Sequence, residues 1–216
     1  MPAYRLAYVP LPKAACTTIK HVFSQIDPHF DTKAAALAFE GTELLHHVYR
    51  TKRFNANDWQ RYATGWHRFC IIRDPLARVL SCYTNRVVAH RDLHKSPRLR
   101  TQKPDLPMDP DPDFFFAHIG DYASNASVIR HHVLPVDRFL GIRHAQYDQV
   151  YRIEELDACI TFLEARAYRK VTREVRNSST TKLSIDDLSG ATKKHLSAFL
   201  AQEYRDLAPW YDNPFL

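Results

Sequence analysis

The chain has 216 residues, 45% of them hydrophobic and 25% charged, with a net charge of +6. That length is enough for one sizeable core, so a single domain over residues 1–216 is expected, and the lack of any run of about 18 apolar residues excludes a membrane-spanning helix. The positive balance favours anionic partners without separating nucleotide, polysaccharide and nucleic acid. In chain order, residues 3–9 read as a first strand that enters a core directly and leaves no room for a leader segment. Two prolines end it. Lys13, small residues and two hydroxyls then lead into a helix over 17–26, where Ile19, Val22, Phe23 and Ile26 recur at i, i+3, i+4 and i+7. Such a turn can offer a phosphate the amides of Ala14, Ala15, Cys16 and Thr17, the hydroxyls of Thr17 and Thr18, and the Lys13 ammonium. Ordinary strand–loop–helix units carry lysines too, so this turn alone leaves phosphate binding an open question. The glycines of G-x-x-x-x-G-K-[ST] are missing, which disfavours ATP and GTP.

Residues 44–49 read as a second strand and 58–63 as a short helix. His67 to Arg73 form a buried strand with an arginine at its carboxyl end; Asp74 and Pro75 supply an N-cap and a first-turn proline. The helix over 75–89 puts Leu76, Val79, Leu80, Tyr83 and Val87 on one face, and Arg78, Ser81 and Asn85 on roughly the opposite one at about 100° per residue. Ligands of open α/β sheets sit at the carboxyl ends of strands. Two corners with basic and hydroxyl groups, Lys13 in one and Arg73 with Ser81 in the other, suit a ligand with two separated phosphates. A surface salt bridge with Asp74 is the alternative reading of Arg73.

Residues 91–113 carry five prolines, at 97, 104, 107, 110 and 112. They are expected to form a mobile lid, an acceptor-contacting loop or plain disorder. Phe114, Phe115 and Phe116 start a helical patch, for which core packing is favoured over stacking on an acceptor. Strands are expected at 136–140, 150–153 and 171–175, and helices at 154–165 and 186–207. Alternating strands and helices imply an α/β fold, P-loop-like and three-layered, with a mainly parallel central sheet. The four cysteines, Cys16, Cys70, Cys82 and Cys159, lack metal-ligand spacing and sit in regular elements. They are expected to be reduced, in a cytoplasmic protein, and no metal site is expected.

The segment from Pro12 to Thr18 resembles the 5′-phosphosulfate loop of the sulfotransferases, specifically the carbohydrate-type group, and Ile72 to Tyr83 resembles their 3′-phosphate motif. Weaker similarity runs through Tyr147 to Leu156, Asn177 to Ser179 and Tyr204 to Leu207, covering most of the chain. The resemblance implies the donor 3′-phosphoadenosine 5′-phosphosulfate (PAPS), with adenosine 3′,5′-bisphosphate as product and no metal. The acceptor is then a hydroxyl, on a saccharide by preference, and nucleic acid is not a partner. Lys13 would neutralise the departing 5′-phosphate oxygen, and Arg73 and Ser81 would clasp the 3′-phosphate. The family often has glycine where Ala15 stands, which leaves the turn geometry open. Carbohydrate members have a catalytic histidine in a location similar to His46 and His47. Of these His47 is preferred as the base, and His131 and His132 form the next pair. Arg176, Asn177 and Ser178 would touch the donor, a polar turn being the alternative. A kinase with a nucleotide loop and a non-catalytic nucleic-acid-binding domain are the competing functions. The first wants the missing glycines and magnesium ligands, the second a concentrated basic stripe.

Overall fold

The computed structural model describes residues 1–30, 43–102, 105–143, 145–172 and 183–216. The chain forms two compact units, Met1–Ile72 with Val136–Ser178 and Arg73–Pro135 with Ser179–Leu216.

The first unit is built on a three-stranded parallel sheet, β1 (Leu6–Val9), β2 (His67–Ile72) and β3 (Gln149–Arg152), in that order. Leu6 pairs with His67 and Val9 with Cys70; Phe69 pairs with Gln149 and Ile72 with Arg152. Phe69, Cys70, Ile71 and Ile72 are all fully buried, an unbroken apolar run that suits a parallel strand covered on both faces. Helix α1 (Cys16–Ile26) follows β1 and buries Ile19, Val22, Phe23 and Ile26, the stripe read from the sequence. Then come α2 (Glu43–Val48) and α3 (Ala56–Gln60). The sheet and its helices belong to the expected mainly parallel, three-layer α/β class.

Two expected strands of this unit are helical. Residues 44–48 lie in α2, and Tyr49 continues the turn through an N–H to Leu45 carbonyl bond of 3.0 Å; of residues 44–49 only Leu45 is buried, so no period-2 face exists to protect. Residues 136–140 include a short helix, Asp137–Leu140, because Val136, Phe139 and Leu140 are buried at i, i+3 and i+4. Gly141 ends it with a left-handed φ of 55°, and a Cβ there would overlap the Phe54 ring. After β3, a 3-10 turn over Ile153–Glu155 leads into a helix over Leu156–Ala167. Only residues 171 and 172 of the strand expected at 171–175 are among those described.

The second unit is helical. Helix α4 (Pro75–Cys82) passes into a π-helical segment, Tyr83–Ala89. Its core joins Leu76, Val79, Tyr83, Phe115, Phe116, Ile119, Tyr122 and Ile129 to Leu196, Leu200 and Tyr204 of a C-terminal helix, Gly190–Asp206. That helix starts four residues later than the sequence suggests, where Ser189 accepts a capping bond from the Thr192 amide at 3.2 Å. Phe115 and Phe116 are fully buried, so the aromatic patch packs the core. Residues 91–113 contain a 3-10 turn, Asp92–Lys95, and a helix, Pro97–Gln102, and they bury Leu93, Leu99 and Leu106.

Arg78 and Asn85 do not face away from the core as the helical wheel suggests. Arg78 is fully buried and binds both carboxylate oxygens of Glu203, at 2.7 and 2.9 Å, and the carbonyls of His132 and Leu134. The wheel sorts residues on one helix, and the second burying partner comes from 125 positions away. Among the described residues, no helix is long and apolar enough to cross a membrane.

Candidate functional site

The loop between β1 and α1 is tightly held. Pro10, Leu11, Pro12 and Ala14 are buried, and the Ala14 amide donates to the Leu11 carbonyl at 3.2 Å. Lys13 and Ala15 both take left-handed backbone conformations, with φ of 67° and 54°, a geometry that costs a residue with a Cβ roughly 1–2 kcal/mol. Left-handed residues alternating with right-handed ones can turn successive amides toward one side, a geometry suited to anions. Ala15 is the N-cap of α1 and makes no side-chain cap, and the first turn of the helix holds no acidic residue. Among the described residues, the positive end of this three-turn helix is therefore balanced by neither its own N-cap side chain nor a carboxylate of its first turn.

A polar cluster lies against that first turn. Thr17 Oγ1 is 3.2 Å from His46 Nε2, and Lys20 Nζ is 3.0 Å from His46 Nδ1. Lys20 Nζ also donates to Thr51 Oγ1 at 2.9 Å. Lys20 has no solvent-exposed surface, and burial pulls its pKa below the ordinary value, with Cys16 acting weakly in the opposite direction. Lys20 and Thr51 were not singled out from the sequence. A lysine between Ile19 and Val22 reads as an exposed residue flanking an apolar stripe, and its partners lie 26 and 31 positions along the chain.

Of the residues expected at the phosphate turn, Lys13, Ala15, Cys16, Thr17 and Thr18 are half-buried and Ala14 is fully buried. His46 and His47 are adjacent and exposed on α2, about 100° apart around a helix rather than on opposite faces of a strand. Arg176, Asn177 and Ser178 lie outside the described residues.

Arg73 and Ser81 belong to the second unit, and both are half-buried. Asp74 caps α4, with Oδ1 accepting from the Ala77 amide at 2.7 Å. Its Oδ2 accepts from the Tyr204 hydroxyl at 2.9 Å, and the Tyr204 oxygen accepts from the Leu76 amide at 3.2 Å. The two helix starts differ accordingly: α4 has its own carboxylate at the N-terminus, while α1 has none. The second histidine pair is not equivalent to the first. His132 is buried, with Nδ1 2.7 Å from the Val128 carbonyl and Nε2 accepting from Arg86 at 3.2 Å, which makes it a tie within the unit. All four cysteines are free thiols, and burial pushes Cys159 up to about 12. Among the described residues no three His, Cys, Asp or Glu side chains gather to hold a metal.

The start of α1 therefore brings Thr17, Lys20, His46 and Thr51 into one polar cluster. A family profile described as Sulfotransferase family matches residues 1–208 of the chain. No curated protein and no solved structure matches it significantly.

Proposed function

Since the chain belongs to the sulfotransferase family, and is thus an enzyme that passes a sulfuryl group to an acceptor hydroxyl, we propose that its donor is PAPS and its acceptor a carbohydrate. The observation that carries the donor reading is the start of α1: two left-handed residues leading into an uncapped helix N-terminus, with the buried Lys20 within the same helix. A buried ammonium and an unbalanced helix dipole both favour an anion at that place. The residues present fit a 5′-phosphate.

Bound PAPS supplies an activated sulfuryl group on its 5′-phosphate. The amides of Ala15 to Thr17 and the hydroxyls of Thr17 and Thr18 hold that phosphate, the Ala14 amide expected there being taken by the Leu11 carbonyl, and Lys13 neutralises the charge that develops on its departing oxygen. Arg73 presents a planar fork to the 3′-phosphate and Ser81 a hydroxyl, an assignment supported by the similarity of Ile72 to Tyr83 to the family's 3′-phosphate motif. His47 accepts the acceptor's proton as the new S–O bond forms and the bond to the 5′-phosphate oxygen breaks. His46 has Thr17 and Lys20 as neighbours of its two ring nitrogens, which suits a positioning role beside the phosphate turn. As in phosphoryl transfer, the residues act mainly by positioning and by charge compensation. Similarity to the carbohydrate-type group supports a saccharide acceptor, and the buried free thiols Cys70, Cys82 and Cys159 suit a reducing, cytoplasmic location.

The test is transfer of labelled sulfuryl from PAPS, without magnesium, to a panel of a desulfated polysaccharide, a small phenol and a tyrosine peptide. The polysaccharide should take up label with release of adenosine 3′,5′-bisphosphate. Label on the phenol or peptide alone would overturn the carbohydrate acceptor, and no transfer to any of the three would overturn the donor.

A further inference from the structure

Lys20 is the most deeply buried cation among the described residues of the first unit, and its surroundings define what its proton can do. Among the described residues it meets two neutral side chains, His46 and Thr51, and no carboxylate. An ammonium has three donors and no acceptor, so the His46 Nδ1 at 3.0 Å must be the bare, accepting nitrogen. A neutral imidazole then carries its proton on Nε2, which faces Thr17 Oγ1 at 3.2 Å. With one lone pair taken by that N–H, the Thr17 hydroxyl proton is left to point elsewhere, in the first turn of α1 where the helix amides are uncapped.

We propose that Lys20 is a positioning residue: it fixes the His46 ring as the Nε2–H tautomer, and through that ring it sets the Thr17 hydroxyl as a donor to the 5′-phosphate of the sulfuryl donor. The inference rests on the donor reading above for its ligand, while the tautomer chain stands on this protein's own side chains. Three links act in series, so their energetic effects are coupled rather than additive. The device also gives His46 and His47 different duties. Adjacent in sequence, one is locked by a buried cation beneath the phosphate turn, and the other carries the proton chemistry.

Long-range nitrogen–proton NMR of histidine-labelled protein tests this without ligand, with the His46 signals assigned by their loss in His46→Gln. Wild type should show His46 as Nε2–H, and Lys20→Met should show a mixture of tautomers. An Nδ1–H ring in wild type, or an unchanged ring in a folded Lys20→Met, overturns the inference; the wild-type spectrum decides even where that variant does not fold. Calorimetry with adenosine 3′,5′-bisphosphate reads the coupling. Lys20→Met and Thr17→Val should each weaken binding about tenfold, the double variant should be no weaker than either single, and Thr17→Ser should restore affinity. Losses that multiply in the double variant overturn it. An Nδ1–H ring with normal bisphosphate binding strikes this inference alone. Failure of wild type to bind the bisphosphate strikes the donor reading and removes the ligand from this one.

Discussion

Lys13 and Lys20 sit seven positions apart with different surroundings, one half-buried in the turn and the other with no exposed surface. In the proposed reaction Lys13 follows charge that appears only as the sulfuryl group leaves, so Lys13→Ala should lower kcat by about 10²–10³-fold and weaken adenosine 3′,5′-bisphosphate binding far less. Equal losses in kcat and affinity would make it a ground-state clamp. His47→Ala should abolish transfer while leaving bisphosphate affinity within about twofold; steady-state rates and calorimetry on the one variant check both halves, and retained activity would move the base elsewhere. Ala15 carries a different expectation. Its left-handed φ means that Ala15→Gly relieves roughly 1–2 kcal/mol of Cβ strain against about 0.5–1 kcal/mol of added chain entropy. The variant should melt at or slightly above the parent in a circular-dichroism scan. A clear drop would argue against the turn geometry. The sequence alone could not show that Ala15 takes a left-handed backbone and bears its strain.

At the scale of elements, α1 and α4 follow strands in the same way and finish their N-termini differently. Asp74, held by Tyr204, closes α4, and nothing comparable closes α1. The capping of α4 was legible, since Asp-Pro before an apolar stripe is a local signal. So were β1, β2, β3 and the apolar face of α1, where a single periodicity meets one core. What failed to read was whatever depended on distant partners. The six-residue segment around His46 and His47 is too short for its period to separate strand from helix, and the buried Lys20 is explained only by residues brought in from α2 and beyond. Arg78 is the plainest instance, because its helical face carries no mark of the carboxylate waiting on the C-terminal helix. That pair gives a stability prediction. Arg78→Met strands the Glu203 carboxylate in the core and should cost about 3–5 kcal/mol, and Arg78→Met with Glu203→Leu should recover much of it. Urea unfolding of the three proteins measures this; a double variant as unstable as the single would show that the pair is not isolated from its neighbours.

Across the whole molecule, the excess of positive charge agrees with an anionic cosubstrate without identifying it. The proposed identification depends on two groups expected to hold phosphate, the α1 turn and the pair Arg73 and Ser81. A donor with a 5′- and a 3′-phosphate makes separable demands on them. A loss at Arg73 should therefore be felt only by ligands that carry the 3′-phosphate. Titration calorimetry in magnesium-free buffer, comparing adenosine 3′,5′-bisphosphate, adenosine 5′-phosphate and ATP on wild type and Arg73→Ala, asks this directly. The bisphosphate should bind wild type more tightly than ATP and lose roughly ten- to a hundredfold in Arg73→Ala, while adenosine 5′-phosphate should bind both proteins alike. Equal losses for the two adenosine ligands, or ATP matching the bisphosphate once magnesium is added, would contradict it.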